Sequence, residues 1–260
     1  MNWQQEKYYF LTAVMFFTRL PVSKTLPYSD EILHCSRKYF PLVGVFIGCL
    51  AALTLYLTNL VLPLPLAIVF SLVATVLITG AFHEDGFADC CDGFGGGWEK
   101  EQVLSIMKDS RVGTYAVVGL ILLFAVKIVS LMELGNISLT VIILAYINGH
   151  SLSRFGASLC VDILDYVQDS EKSKVKPIAA QKLPFNSIIY SALLIIPAFL
   201  LLIIAKPIYI FSLVPMWLTF LFGCRYFKKR IGGYTGDCLG AMQQVLEAVF
   251  YVSLIALNLF

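Results

Sequence analysis

Residues 187–205 read SIIYSALLIIPAFLLLIIA, with no charged side chain among them. A core-facing helix of a soluble domain keeps a polar stripe for water, and this run has none. Its length matches the roughly 20 residues that cross a hydrocarbon layer about 30 Å thick. No water is present there to satisfy the backbone, so the run is expected as an α-helix rather than an open strand.

Six further runs share this character: about 41–62, 64–82, 112–133, 137–160, 207–223 and 239–260. The chain has 260 residues, 58% of them hydrophobic and 14% charged, whereas a soluble domain carries about 25% charged residues. The expected fold is all-α: a polytopic integral membrane helical bundle of about seven transmembrane helices, forming one domain over residues 1–260. The stretch Tyr8–Leu20 is apolar but too short to span and ends at Arg19 and Pro21. It reads as an N-terminal interfacial helix, and without a small-residue cleavage site it is expected to stay in the protein.

Short connections lie near Leu62–Pro63, Leu134–Asn136 and Lys206–Pro207, while long polar segments occupy 1–40, 83–111, 161–186 and 224–238. If the spans alternate, all the long segments share one side, and 16 of the 19 Lys and Arg residues fall there. Lys206 lies opposite, and Lys127 and Arg154 fall within spans. The positive-inside rule then makes that side cytoplasmic, with the N-terminus in and the C-terminus out of a bacterial inner membrane. The active-site loops, 83–111 and 224–238, are expected on it. Seven cysteines show neither a C-x-x-C pair nor zinc-ligand spacing, and no chemistry is assigned to them.

The segment His83-Glu-Asp-Gly-Phe-Ala-Asp-Cys-Cys-Asp-Gly-Phe-Gly-Gly-Gly97 carries the chemistry. Asp85, Asp89 and Asp92 are spaced i, i+4, i+7 and share one helix face. Adjacent carboxylates at that spacing are about 5–6 Å apart and repel by about 3 kcal/mol at an effective dielectric of about 20. A compensating cation is expected, and hard oxygen ligands beside phosphates suit Mg²⁺. The plainer reading is a solvated acidic helix end. That reading carries a cost of its own, because acids at the end of the second span oppose the helix macrodipole. Gly93 and Gly95–Gly97 are expected to end the helix. Glu84 points about 100° away and ranks below the three aspartates, while His83 reads either as substrate-binding or as a hydrogen-bonded structural residue.

Three other groups complete the candidate site. In Met107-Lys-Asp-Ser-Arg-Val-Gly113, Lys108 and Arg111 are candidate phosphate ligands, Arg111 with a planar fork. Asp109 is a candidate ligand or general base. In Ile231-Gly-Gly-Tyr-Thr-Gly-Asp-Cys-Leu-Gly-Ala241, a tight loop presents Thr235 and Asp237, with Asp237 alternatively the N-cap of the last span. Arg225, Lys228, Lys229 and Arg230 read as charges that set topology. Arg19 is either a snorkelling anchor or a phosphate ligand. Arg154, inside a span, requires a partner, for which Asp162 and Asp165 are candidates. The segment Asp169–Lys182 reads as a solvated loop.

Taken together, Phe17-Thr-Arg-Leu-Pro-Val22, Phe82-His-x-Asp-Gly-x-Ala-Asp-x-Cys-Asp-Gly93, Met107-Lys-Asp-Ser-Arg-x-Gly113 and Gly232-Gly-x-Thr-Gly-Asp-x-Leu-Gly-Ala241 resemble the cobalamin synthase, or adenosylcobinamide-GDP ribazoletransferase, family. The motifs run in order over nearly the whole chain. Glu84 departs from the pattern, where an apolar residue is expected. The resemblance implies Mg²⁺-dependent transfer of a phosphoryl group from adenosylcobinamide-GDP to α-ribazole or its 5′-phosphate, with release of GMP. It implies Asp85, Asp89 and Asp92 as metal ligands. Asp85, Asp89 or Asp109 would be catalytic, and His83, Lys108, Arg111, Arg19, Thr235 and Asp237 would bind substrate. The bilayer is the other partner; nucleic acid is not expected, and a homo-oligomer is left open. A CDP-alcohol phosphotransferase fits less well, since Ala88-Asp89 stands where that pattern has Ala-Arg. An ion-coupled transporter would place carboxylates near midspan.

Overall fold

The long apolar runs form helices throughout. A computed structural model describes residues 3–23, 25–167 and 182–259. In chain order these form α1 (Trp3–Phe17), α2 (Asp30–Ser36), a 3₁₀ turn (Arg37–Tyr39), α3 (Phe40–Asn59), α4 (Leu64–Thr79), α5 (Phe82–Gly96) and α6 (Lys100–Met107). There follow α7 (Thr114–Ile137), α8 (Leu139–Ile163), α9 (Phe185–Ala205), a second 3₁₀ turn (Pro207–Ser212), α10 (Leu213–Ile231) and α11 (Gly236–Ala256). Among the described residues the one β-type pairing is an isolated bridge between Tyr166 and Tyr234. The segment 169–182 lies outside the described residues but for Lys182.

The polytopic all-helical reading holds. Five helices are long and apolar enough to cross a membrane: Asp30–Asn59, taking α2 and α3 together, then α7, α9, Pro207–Ile231 and α11. A sixth results if α4 and α5, which meet at 90°, count as one bent span. The remaining expected span, α8, is 25 residues long but is the polar spine of the bundle. It buries Asn148, His150, Ser151, Ser153 and Arg154, side chains that lipid would not tolerate but neighbouring helices do. At Gly48 the backbone of α3 lies against that of α8, where a Cβ would come within 2.6 Å of the Ile147 Cα. Small residues at such crossings let helices gain dispersion contact where lipid offers no hydrophobic drive. α1, at 15 residues, is too short to span, as expected.

Hydrogen bonds define the two ends of the bundle. At one end Lys206 donates to Asn258 at 2.6 Å, and Asn258 donates to the Tyr209 hydroxyl at 2.6 Å. At the other end, Val167 and Tyr234 exchange backbone bonds through Tyr234 O and Asp165 O, each 3.0 Å. There too Arg37 pairs with Asp162 at 2.6 Å. Asp162 is thus engaged by Arg37 rather than by Arg154, correcting the expected pairing. On α10, Arg230 donates to the carbonyls of Gly97 at 2.6 Å and Phe94 at 3.3 Å and lies over the Phe94 ring. It therefore caps the C-terminus of α5, a structural role beyond setting topology.

Candidate active site

The site begins with an elbow. Gly80 has φ +68° and Ala81 φ +58°, and across them α4 turns by 90° into α5. The left-handed conformation is free for glycine and costs an alanine about 1 kcal/mol or more. The Arg19 N–H donates to the Ile78 carbonyl at 2.7 Å, and the Arg19 side chain covers Gly80 so closely that a Cβ there would collide with Nε. Arg19 is exposed at this elbow.

The acidic residues therefore do not prolong the second span. They open a new helix, and Glu84 and Asp85 lie in its first turn, where the macrodipole favours negative charge. The expected dipole penalty is thereby reversed. The helix does end at the glycine run, with Gly97 as its cap, but Gly93 and Gly95 lie inside it. A Cβ at Gly93 would come within 2.6 Å of the Met107 side chain, and one at Gly95 within 2.6 Å of the Tyr115 ring.

The fourth carboxylate comes from α11. A Cβ on Gly86 would stand 3.0 Å from the Asp237 Cα, so α11 starts directly against the acidic helix. The N-cap of α11 is Thr235, not Asp237: the Thr235 hydroxyl accepts from the Cys238 N–H at 3.3 Å and donates to the Asp237 carboxylate at 3.3 Å. Thr235 is fully buried, which commits it to this turn. The cap leaves Asp237 with carboxylate capacity to spare. Asp89 feels the charges of Asp237, Asp85 and Asp92, and Asp237 that of Asp85. Among the described residues, no Lys, Arg or His forms an ion pair with Asp85, Asp89 or Asp237.

Asp92 is placed differently. Its two oxygens accept from the N–H groups of Gly113 at 2.6 Å and Ala116 at 2.9 Å, satisfying the start of α7. Among the described residues, no three His, Cys, Asp or Glu side chains are already gathered as a metal centre. The unpaired carboxylates Asp85, Asp89 and Asp237 nevertheless fit a hard divalent cation in charge and in donor type.

Lys108 and Arg111 are exposed on the loop between α6 and α7. Arg111 grips Asp109 through bonds of 2.5–3.0 Å. The Arg111 guanidinium holds the Asp109 carboxyl down at about 2, which weakens Asp109 as a proton acceptor. Arg111 is only two residues from Gly113, itself tied to Asp92, so the loop hangs beside the acidic helix. On that helix itself, His83 is buried, 2% exposed and stacked on Phe40.

Sequence reading missed a buried polar network behind α5. The Glu247 carboxylate accepts from Lys127 at 2.9 Å, Gln243 at 2.7 Å and Tyr251 at 3.2 Å, and lies 3.2 Å from His150 Nδ1. Lys127 also donates to Gln244 at 2.5 Å, and Gln244 donates to Glu84 at 3.0 Å. Arg154 bonds the ring and the carbonyl of its own-helix neighbour His150 at 3.1 and 3.0 Å. Through Glu84 the network reaches the residue next to Asp85. Its available signal was Lys127 and Glu247, opposite charges well inside two long, mainly apolar runs.

The sequence model of the family described as Cobalamin-5-phosphate synthase matches residues 9–255. A protein of Shewanella frigidimarina named adenosylcobinamide-GDP ribazoletransferase is 41% identical over 260 residues, covering 100% of this chain and 98% of its own. Proteins of the same name from Vibrio parahaemolyticus and Leptospira interrogans are 44% and 39% identical, over 95% and 98% of this chain and 91% and 97% of theirs. No solved structure matches. With a family match across nearly every helix and the acidic face between α5 and α11 inside it, the chain belongs to the cobalamin-5-phosphate synthase family, and the protein is an enzyme of cobalamin biosynthesis.

Proposed function

We propose that the protein joins adenosylcobinamide-GDP to α-ribazole, or to α-ribazole 5′-phosphate, and releases GMP. The observation carrying this reading is the set Asp85, Asp89 and Asp237: mutually repelling carboxylates from two helices, with no ion-paired Lys, Arg or His among the described residues to balance them. A diphosphate donor requires its negative charge to be neutralised and an alcohol to be held in line with phosphorus. Asp85, Asp89 and Asp237 would hold Mg²⁺, which when bound supplies charge neutralisation at the phosphate oxygens. The ribose hydroxyl oxygen bonds to the phosphorus that bears the cobinamide alkoxide, the bond to the GMP oxygen breaks, and the hydroxyl proton passes to a carboxylate of this face. Asp89 is half-buried and, among the described residues, has no arginine paired to it as Asp109 has Arg111, so it suits that proton better than Asp109. Arg111 and Lys108 would reach phosphate oxygens from the loop, and Arg19 from the elbow. Asp92 would serve by fixing α7 to α5, although its oxygens keep lone pairs for a cation.

The sidedness of the Lys and Arg residues supports a bacterial inner-membrane location with this face toward the cytoplasm. The test is GMP release by the purified protein in detergent, given adenosylcobinamide-GDP with and without α-ribazole, in Mg²⁺ or in EDTA. Release that requires both α-ribazole and Mg²⁺ supports the reading. Release indifferent to α-ribazole, or full activity in Asp85→Ala, overturns it.

A further inference from the structure

His83 is a buried polar residue that the acidic face does not use. Its ring lies parallel to Phe40, with centroids 5.6 Å apart, and meets Phe82 edge-on at 5.3 Å. Among the described residues neither Nδ1 nor Nε2 has a hydrogen-bond partner, which is a costly state for a buried polar group unless something else supplies one. The ring lines an internal pocket whose other walls include Phe16, Phe17, Phe40 and Phe82, with Gly236 on the side toward Asp237.

We propose that this pocket is the subsite for the aromatic base of the acceptor alcohol, an N-substituted benzimidazole, and that His83 donates an N–H to its unsubstituted ring nitrogen. The inference rests on the ribazoletransferase reading and names a subsite for one of its two substrates.

Three arguments carry it. Rings on the walls offer stacked and edge-on faces to a flat bicycle, at separations like those already seen among Phe40, Phe82 and His83; the pocket is about 40 Å³ as it stands, and the Phe82 ring, 41% exposed, is the wall that must swing outward to admit a base. An imidazole bears at least one N–H in every protonation state, and a substituted benzimidazole presents a single ring acceptor, so one donor matches one acceptor. Guanine, the base of the donor substrate, fits worse, since it carries acceptors at O6 and N7 and an N2 amino donor. The charged lining residue, Arg37, already donates to the Ser158 carbonyl at 3.0 Å and to Asp162 at 2.6 Å. Guanine would therefore leave several groups unmet, at a cost of about tenfold in affinity for each. Gly236 directly precedes Asp237, so a ribose leaving the pocket on that side meets the carboxylate face with its hydroxyl groups.

The experiment is equilibrium dialysis of the full-length protein in detergent, without Mg²⁺, against α-ribazole and its indole analogue, in which the acceptor nitrogen is replaced by C–H. The wild type is expected to prefer α-ribazole by about tenfold, the value of one good hydrogen bond. In His83→Phe, which keeps the stacking and loses the N–H, the two ligands are expected within about twofold of each other. Ala157→Phe, filling the pocket from α8, is expected to lose α-ribazole while still binding adenosylcobinamide-GDP. An unchanged preference in folded His83→Phe, undiminished α-ribazole affinity in Ala157→Phe, or displacement of α-ribazole by guanosine overturns the proposal. GMP release, measured separately, tests the ribazoletransferase reading. Base discrimination through His83 without any release would sustain the subsite and overturn that reading alone.

Discussion

The buried network around Glu247 supports a quantitative prediction. Two cations, Lys127 and Arg154, and two carboxylates, Glu247 and Glu84, gather there, with Lys127 and Glu247 ion-paired at 2.9 Å, and Lys127, Arg154 and Glu247 are each no more than 2% exposed. Glu247→Leu removes three hydrogen bonds and leaves the Lys127 ammonium without its carboxylate. Breaking a buried pair from one side costs about 3–5 kcal/mol, because the surviving charge stays desolvated. For a chain of this size that corresponds to a fall of roughly 10 °C in melting temperature. The double variant Lys127→Leu/Glu247→Leu restores the charge balance, and packed apolar side chains often replace a buried pair with little loss. Its melting temperature is therefore expected above that of Glu247→Leu, with a coupling of about 1–3 kcal/mol. The assay is thermal unfolding of wild type, both single variants and the double variant in one detergent. Single variants that melt like wild type, or effects that simply add, would refute the reasoning that the ion pair is desolvated and coupled.

The remaining predictions concern the acidic helix and its loop. Asp89→Asn is expected to lower turnover by at least about 100-fold, yet to raise melting temperature in EDTA by relieving repulsion with Asp85, Asp92 and Asp237; measuring both on one preparation separates chemistry from folding. Asp92→Ala removes two bonds to the start of α7 and is expected to destabilise by about 1–2 kcal/mol, seen as a lower unfolding midpoint. Gly80→Ala is expected to cost about 1 kcal/mol or more, from the left-handed φ and the collision with Arg19, again in thermal unfolding. The Asp109–Arg111 pair holds a carboxyl depressed to about 2. Its contribution is complete above the ordinary aspartate range, near pH 4, and is lost only as pH falls toward 2. Arg111→Gln should therefore leave the pH dependence of stability between pH 5 and 9 unchanged, while raising the KM for the phosphate-bearing donor.

Much of the protein was legible in its residue order. Runs such as 187–205 have one outcome in hydrocarbon, and the skew of Lys and Arg follows from a local rule about loops. The four polar motifs and their aspartates were visible for the same reason, because i, i+4, i+7 spacing describes one helix. Neighbouring residues do not encode which helix face meets which. The elbow at Gly80 and Ala81 turned the aspartates from the end of one helix into the start of another, and a non-glycine residue in the left-handed region gives no periodic signal. Asp92 is spaced like its neighbours, yet tertiary contact alone spent its oxygens on α7. Asp162 stood two turns from Arg154 on the same helix, but Arg37, 125 positions away, took it. Sequence determined that these residues would be helical, membrane-embedded and chemically equipped, since those properties are set within one turn or one span. The tertiary structure decided which carboxylates remain free and which are consumed, because that depends on contacts between segments far apart in the chain.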